Sequence, residues 1–236
     1  MALILNIETS TEVCSVSLAK EGETLFSRES SDGLNHSQLL TVFIEDLFKE
    51  NKVEFNQLDA VAVSKGPGSY TGLRIGVSVA KGMCFGLNIP LISIGSLSSM
   101  ADEVSSHMQK YFTPGKDEKV LICPMIDARR MEVYTALYND NGETIVPVTA
   151  EIIDENSFIE HLTGHKLLFF GNGADKCRTK ITHPNAVFAG PDKTSARFMQ
   201  KLSERKYNMR QFEDVAYFEP FYLKDFVATI PKNKIF

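Results

Sequence analysis

The chain has 236 residues, 43% of them hydrophobic, and a formal net charge of -5. That length suits one large domain or two smaller ones with a sizeable core, and the composition excludes a disordered chain. The acidic balance offers no general electrostatic footprint for nucleic acid, so any work on RNA implies a basic partner that supplies most of the grip.

Three short strands are predicted first: LILNIE (3–8), VCSVSLA (13–19) and TLFSRES (24–30). The second alternates, with Cys14, Val16 and Leu18 on one face and Val13, Ser15, Ser17 and Ala19 on the other. A helix follows over about 35–51, with Asn35 as its expected cap and Gln38 at the capping-box position. Its stripe of Leu39, Leu40, Phe43, Ile44, Leu47 and Phe48 is too broad for one sheet contact alone. LDAVAVS (58–64) reads as a buried parallel strand. The loop SKGPGSYTG leads from it into a helix reaching about Leu87. A strand PLISI (90–94) and a helix from about Ser96 complete the series.

The order then repeats. VLICPMID (120–127), EVYTALY (132–138) and TIVPVTAEII (144–153) read as strands, and ENSFIEHL (155–162) as a helix. KLLFFG (166–171), a weak strand at AVF (186–188) and a helix over 195–207 follow, then an irregular aromatic tail from about Phe212. Each first strand ends in an acid, Glu8 or Asp127, and each fourth strand runs into a Gly-x-Gly loop, Gly66-Pro67-Gly68 or Gly171-Asn172-Gly173. These coincidences predict an internal duplication of a β-β-β-α-β-α-β-α unit, divided into 1–112 and 113–236. No run approaches the ~20 apolar residues of a membrane span, and the N-terminus lacks the cationic start of a signal peptide. Cys14, Cys84, Cys123 and Cys177 form no C-x-x-C pair and read as reduced core thiols of a cytoplasmic protein.

The duplicated unit is the plan of the actin, hexokinase and Hsp70-like (ASKHA) ATPase fold. The blocks LNIETSTEVCSVSLA, GPGSYTGLRIG, PLISIGSLSSMA and DARRMEVY, with FEPFYLKD near the end, resemble the TsaB (YeaZ) family. The resemblance implies a non-catalytic subunit in bacterial synthesis of threonylcarbamoyladenosine, the modified adenosine beside the anticodon in tRNAs reading codons that begin with A. It implies a heterodimer with a TsaD homologue, which transfers the threonylcarbamoyl group, and a TsaE homologue as third component. It also implies self-association, tRNA contact only through the complex, and ATP and metal held by the TsaD and TsaE partners rather than by this chain.

The residues themselves argue against a phosphate cradle of a known kind. A P-loop needs Gly-Lys-Ser/Thr leading its helix, whereas Lys65 precedes the glycines here. The spacing G-x-G-x-x-x-G also misses the dinucleotide fingerprint. Gly66, Pro67 and Gly68 are expected to form a tight turn, with Ser69 or Thr71 capping the helix. Within that helix Gly72 and Gly76 share one face, and Gly82 and Gly86 another. Each costs up to ~1 kcal/mol relative to Ala, so close approach of another backbone is the expected gain. One face meets the parent sheet; the other is expected to meet a partner. The candidate docking residues are Leu39, Phe43, Leu47, Gly72, Gly76, Val79, Ala80 and Met83, a set the family resemblance favours over internal packing.

Ser96 and Met100 stand where TsaD-like relatives carry two histidine ligands, and neither suits a hard catalytic metal. His161 and His165 have the H-x-x-x-H spacing, but Gly164 between them reads as a helix stop that turns the rings apart. No metal site is expected. His36, His107 and His183 are expected at the surface. The cleft loops Glu8, Thr9 and Ser10, and Asp127 with its two arginines, lack the glycines that wrap phosphate in kinases of this fold. Arg74 and Arg129 are candidates for a phosphate or carboxylate contact across a subunit boundary; Arg74 equally reads as a solvated helix residue. Two further functions are compatible with the fold. A small-molecule kinase needs Glu8 and Asp127 to flank a phosphate site. An M22-like metallopeptidase needs the ligands that Ser96 and Met100 replace.

Overall fold

The computed structural model describes residues 2–31, 35–116 and 118–224. Asp225, the last residue of the FEPFYLKD block, lies outside them.

Three antiparallel strands open the chain: β1 (Leu3–Glu8), β2 (Cys14–Lys20) and β3 (Glu23–Ser30). β4 (Ala60–Gly66) and β5 (Leu91–Gly95) then add in parallel, giving the order β3-β2-β1-β4-β5. The second sheet has β6 (Val120–Asp127), β7 (Glu132–Asn139), β8 (Thr144–Ile152), β9 (Lys166–Phe170) and β10 (Ala186–Phe188). Its order is β10-β9-β6-β7-β8, the same path read from the other edge. The duplication reaches the backbone angles: the glycines that end β4 and β9 have φ of +100° (Gly66) and +98° (Gly171). This is the duplicated actin/hexokinase/Hsp70-like plan.

Helices α1 (His36–Asn51) and α2 (Tyr70–Leu87) cover one face of the first sheet. Leu5, Ile7, Val16, Leu40, Ile44, Val61, Val63 and Val77 form the core between them. Each such side chain fully buried contributes roughly 1.5–3 kcal/mol. α3 (Ser96–Ser106) leaves the first sheet to pack on the second, where Leu97, Met100 and Val104 meet Ile122, Ala136 and Leu168. Two one-turn helices follow, α4 (Met108–Tyr111) and α5 (Ile159–Leu162), before α6 (Gln200–Asn208).

α6 does not stay with the second sheet. With the 3-10 turn Ala196–Met199 before it, it packs on β1, β2 and β5, and Met199 joins Ile4, Ala60, Ala62, Ile92 and Ile94. From Gln211 the chain runs back along α2: Glu213 N–H bonds Leu91 O at 2.8 Å, Lys81 Nζ reaches Ala216 O and Phe218 O, and Phe221 N–H bonds Lys65 O. The expected division at 112/113 therefore separates the sheets but not the packing, because residues 194–221 complete the first half.

Three local expectations need correction. Asn35 makes no side-chain capping bond to α1. The helix expected over 155–162 shrinks to α5, because Asp154 Oδ1 accepts from Asn156 N at 2.9 Å and Phe158 is left-handed (φ 63°). That turn holds the backbone away from helix until Ile159. Finally, the polar face of β2 is not solvated: Ser15 Oγ accepts from Ala196 N at 3.0 Å, and Ser17 Oγ donates to Ala196 O at 3.1 Å.

Candidate functional site: a filled cleft and an open helical face

The loops expected at the cleft do meet there, packed on the protein itself. Glu8 is fully buried at the end of β1, and its Oε1 accepts from Ser10 N at 2.6 Å. Burial pushes the Glu8 carboxyl above the usual carboxylate range, partly offset by hydrogen bonds from Ser10 and Ser64 and by the His36 ring. Thr9 Oγ1 donates to Gly72 O at 2.8 Å, and Ser69 N donates to Ser10 O at 2.6 Å. Ser69 also caps α2, accepting from Gly72 N at 3.3 Å, so the Ser69 alternative is the one realised. The β1–β2 turn thus lies directly on the first two turns of α2. A Cβ on Gly68 would stand 2.1 Å from Ser10 O. One on Gly72 would stand 2.2 Å from Thr9 O, and one on Gly76 would stand 2.3 Å from Thr9 Oγ1. The Gly66–Pro67 peptide is cis.

The second half of the cleft is filled from below. Lys176 Nζ pairs with the Asp127 carboxylate and donates to Arg130 O (2.8 Å) and Glu132 O (2.7 Å). Asp127 N donates to Asn172 Oδ1 at 3.0 Å, and Asn172 Nδ2 donates to Glu12 Oε2 at 2.8 Å, tying the two halves. Gly171 and Gly173 let this loop press on Met125 and Ile126. Glu8 is interior while Asp127 is exposed and paired, so the two acids do not converge on one site. Among the described residues, no three His, Cys, Asp or Glu side chains are grouped to hold a metal ion.

Ser96 and Met100 are both buried in α3. His161 and His165 are linked by a bond from the His165 ring to His161 O at 3.3 Å, on and just after α5. His36 corrects an expectation: it is 3% exposed, with Nε2 2.8 Å from Thr11 O. No sequence signal marks it, because its partner lies in another element. The four cysteines are buried and free, and burial pushes Cys14, Cys84 and Cys177 up to about 11, as suits inert thiols.

The docking set divides. Leu47, Gly72, Gly76 and Ala80 are buried inside the chain, so they cannot meet a partner. Gly72 and Gly76 face the β1–β2 turn instead. Leu39, Phe43, Val79 and Met83 are only partly covered. The open notch belongs to the other glycine pair: Gly82 and Gly86 have nothing within 4 Å, and Phe85 between them is 85% exposed. Val42 on α1 is 47% exposed. The spacing of the glycines carried the signal for this face, but Phe85 was missed. Arg74 and Arg129 are both exposed; Arg74 Nη1 donates to the Tyr70 hydroxyl at 3.0 Å.

Comparison with known proteins agrees with this geometry. A family model described as "TsaD: tRNA N6-adenosine threonylcarbamoyltransferase" matches residues 31–232. The tRNA threonylcarbamoyladenosine biosynthesis protein TsaB of Haemophilus influenzae is 28% identical over 95% of this chain and 94% of its own. The protein of that name from Buchnera aphidicola subsp. Baizongia pistaciae is 32% identical over 78% of this chain and 86% of its own. The solved structure of YeaZ from Pseudomonas aeruginosa superposes with a TM-score of 0.74 at 25% identity, covering 94% of this chain and 100% of that one. Matched end to end by proteins that carry the TsaB name, and folded like YeaZ, the chain belongs to the TsaB (YeaZ) family of tRNA threonylcarbamoyladenosine biosynthesis proteins.

Proposed function

We propose that this chain is the non-catalytic subunit of a tRNA threonylcarbamoyladenosine synthesis complex. It heterodimerises with a TsaD homologue through the flank of α1 and α2 and activates that partner, with a TsaE homologue as third component. The partners hold ATP and metal. Transfer to the adenosine beside the anticodon then takes place on the TsaD subunit, in the cytoplasm. One observation carries the reading: Phe85 stands 85% exposed between two glycines with open space above them. A large apolar side chain on a backbone notch is what a docking helix requires, and it is costly to leave in water. The packed cleft supports the non-catalytic part, since the turns that would wrap phosphate are seated on α2 and on Lys176. Self-association through the same flank would compete with the heterodimer.

The test is reconstitution. The chain, the TsaD homologue and the TsaE homologue are assayed for threonylcarbamoyl transfer to tRNA, singly and together. Transfer is expected only when this chain and TsaD are both present. Transfer or steady ATP turnover by this chain alone would overturn the reading.

A further inference from the structure

We infer that the mouth of the cleft is a contact surface for single-stranded RNA, with Arg74, Arg129 and Arg130 meeting phosphates and Tyr70 and Tyr222 offering faces to bases. The inference rests on the proposed membership of a tRNA-modifying complex and gives this chain its own contact with the nucleic acid.

The hairpin between β6 and β7 turns on two consecutive arginines in left-handed backbone, Arg129 (φ 70°) and Arg130 (φ 51°). Such a backbone suits Gly or Asn and is disfavoured for a long side chain. It is held all the same. Asp127 Oδ1 accepts from Arg129 N at 2.8 Å, and the Lys176 ammonium bonds Arg130 O and Glu132 O from below. Both arginines are exposed. Strain kept at a surface tip, in residues that pack on nothing, is the mark of a functional constraint.

The surface continues without a break. Lys224 pairs with the Glu132 carboxylate beside the tip. Two residues earlier, Tyr222 packs on Tyr70 with ring centroids 4.9 Å apart, and it is 38% exposed. The Arg74 guanidinium lies 5.4 Å from the Tyr70 centroid. The acids on this strip, Asp127 and Glu132, are already paired with Lys176 and Lys224. Among the described residues, Arg74, Arg129 and Arg130 form no ion pair. Three unpaired guanidinium groups beside two part-open aromatic rings match alternating phosphates and bases, since planar forks suit phosphodiesters and rings stack on any base. The net charge of -5 hides this local excess and explains why the contact needs a complex to be strong.

The experiment uses the complex with the TsaD homologue and fluorescently labelled tRNA, with binding read by anisotropy between about 50 and 200 mM salt. The double variant Arg129→Asn, Arg130→Gly removes both charges and relieves the backbone, so it folds at least as well. It is expected to weaken tRNA binding about tenfold and to lower the salt slope by roughly two. Tyr222→Ala is expected to weaken binding severalfold with the slope unchanged, and Tyr222→Phe to restore it. Unchanged affinity in a complex that still forms would overturn the inference. Variants that instead lose co-elution with TsaD would show a protein contact and overturn it equally. If the wild-type pair never forms, the partnership reading alone fails. The same variants on this chain, with an unstructured oligoribonucleotide, then decide the RNA contact.

Discussion

Gly72 and Thr9 are locked together twice: the Thr9 hydroxyl donates to Gly72 O at 2.8 Å, and a methyl group on Gly72 would lie 2.2 Å from Thr9 O. The contact is backbone against backbone, so neither side can yield by a rotamer change. Gly72→Ala is expected to destabilise the fold by about 2–3 kcal/mol through overpacking. Gly82→Ala, with open space around it, is expected to stabilise by up to ~1 kcal/mol through helix propensity. Urea unfolding of the two variants reads both effects; equal stability would show that the β1–β2 turn is not seated on α2.

Phe85 carries the docking face. Phe85→Ser removes an exposed side chain, so stability should change by no more than ~0.5 kcal/mol. Co-elution with the TsaD homologue should weaken at least tenfold, roughly the loss of one anchor of an interface. Size-exclusion chromatography with a thermal melt separates the two. A folded variant that still co-elutes at wild-type affinity would move the interface elsewhere.

Glu8 gives a pH dependence with a definite sign. Its folded-state pKa lies above the unfolded value, because burial disfavours the carboxylate. Between the two values the folded state binds more protons than the unfolded one. Glu8 therefore lowers stability as pH rises from the ordinary carboxylate range through the raised value, and the loss persists above it. Glu8→Gln keeps an acceptor for Ser10 N without the buried charge. It should be more stable than wild type at neutral pH, and the advantage should shrink as pH falls toward 4.5 and below. Paired denaturation curves across that window test it; a gap independent of pH would contradict it.

Lys176 holds the arginine hairpin. Lys176→Met leaves Arg130 O, Glu132 O and the Asp127 carboxylate without their shared donor. With the Lys176 side chain 24% exposed and Asp127 46% exposed, water replaces part of the loss, and a cost of about 1 kcal/mol is expected. Hydrogen exchange should rise over residues 128–132 while β6 and β7 stay protected. Unchanged exchange at the tip would show that the turn holds itself.

The sequence made much of this legible, and the failures share one cause. α2 was readable to the residue, because the Gly-Pro-Gly turn, the Ser69 cap and the apolar period are all local signals. The sheets were readable because acids and glycines recur at equivalent strand ends. Spacing also showed that Gly72 pairs with Gly76 and Gly82 with Gly86. It could not show which pair faces inward, since the occupant of that space, Thr9, lies about 60 residues away along the chain. His36 was misread for the same reason, through Thr11. Ser15 and Ser17 gave the pattern of a wet face, yet the backbone of Ala196 completes their bonding from the far end of the protein. The helix expected at 155–162 failed differently: a side chain–backbone turn at Asp154 outcompeted a plausible apolar period.

The return of residues 194–221 to the first sheet orders events at the ribosome. β1 emerges first, but the segment that roofs its inner face, from Ala196 through Met199 into α6, is among the last to be made. A nascent chain halted before that point exposes Ile4, Ala62 and Ile94 to the cytosol and to chaperones. The fold closes its earliest strand with its latest helix, so a truncated product is left visibly unfinished to the cell's quality control.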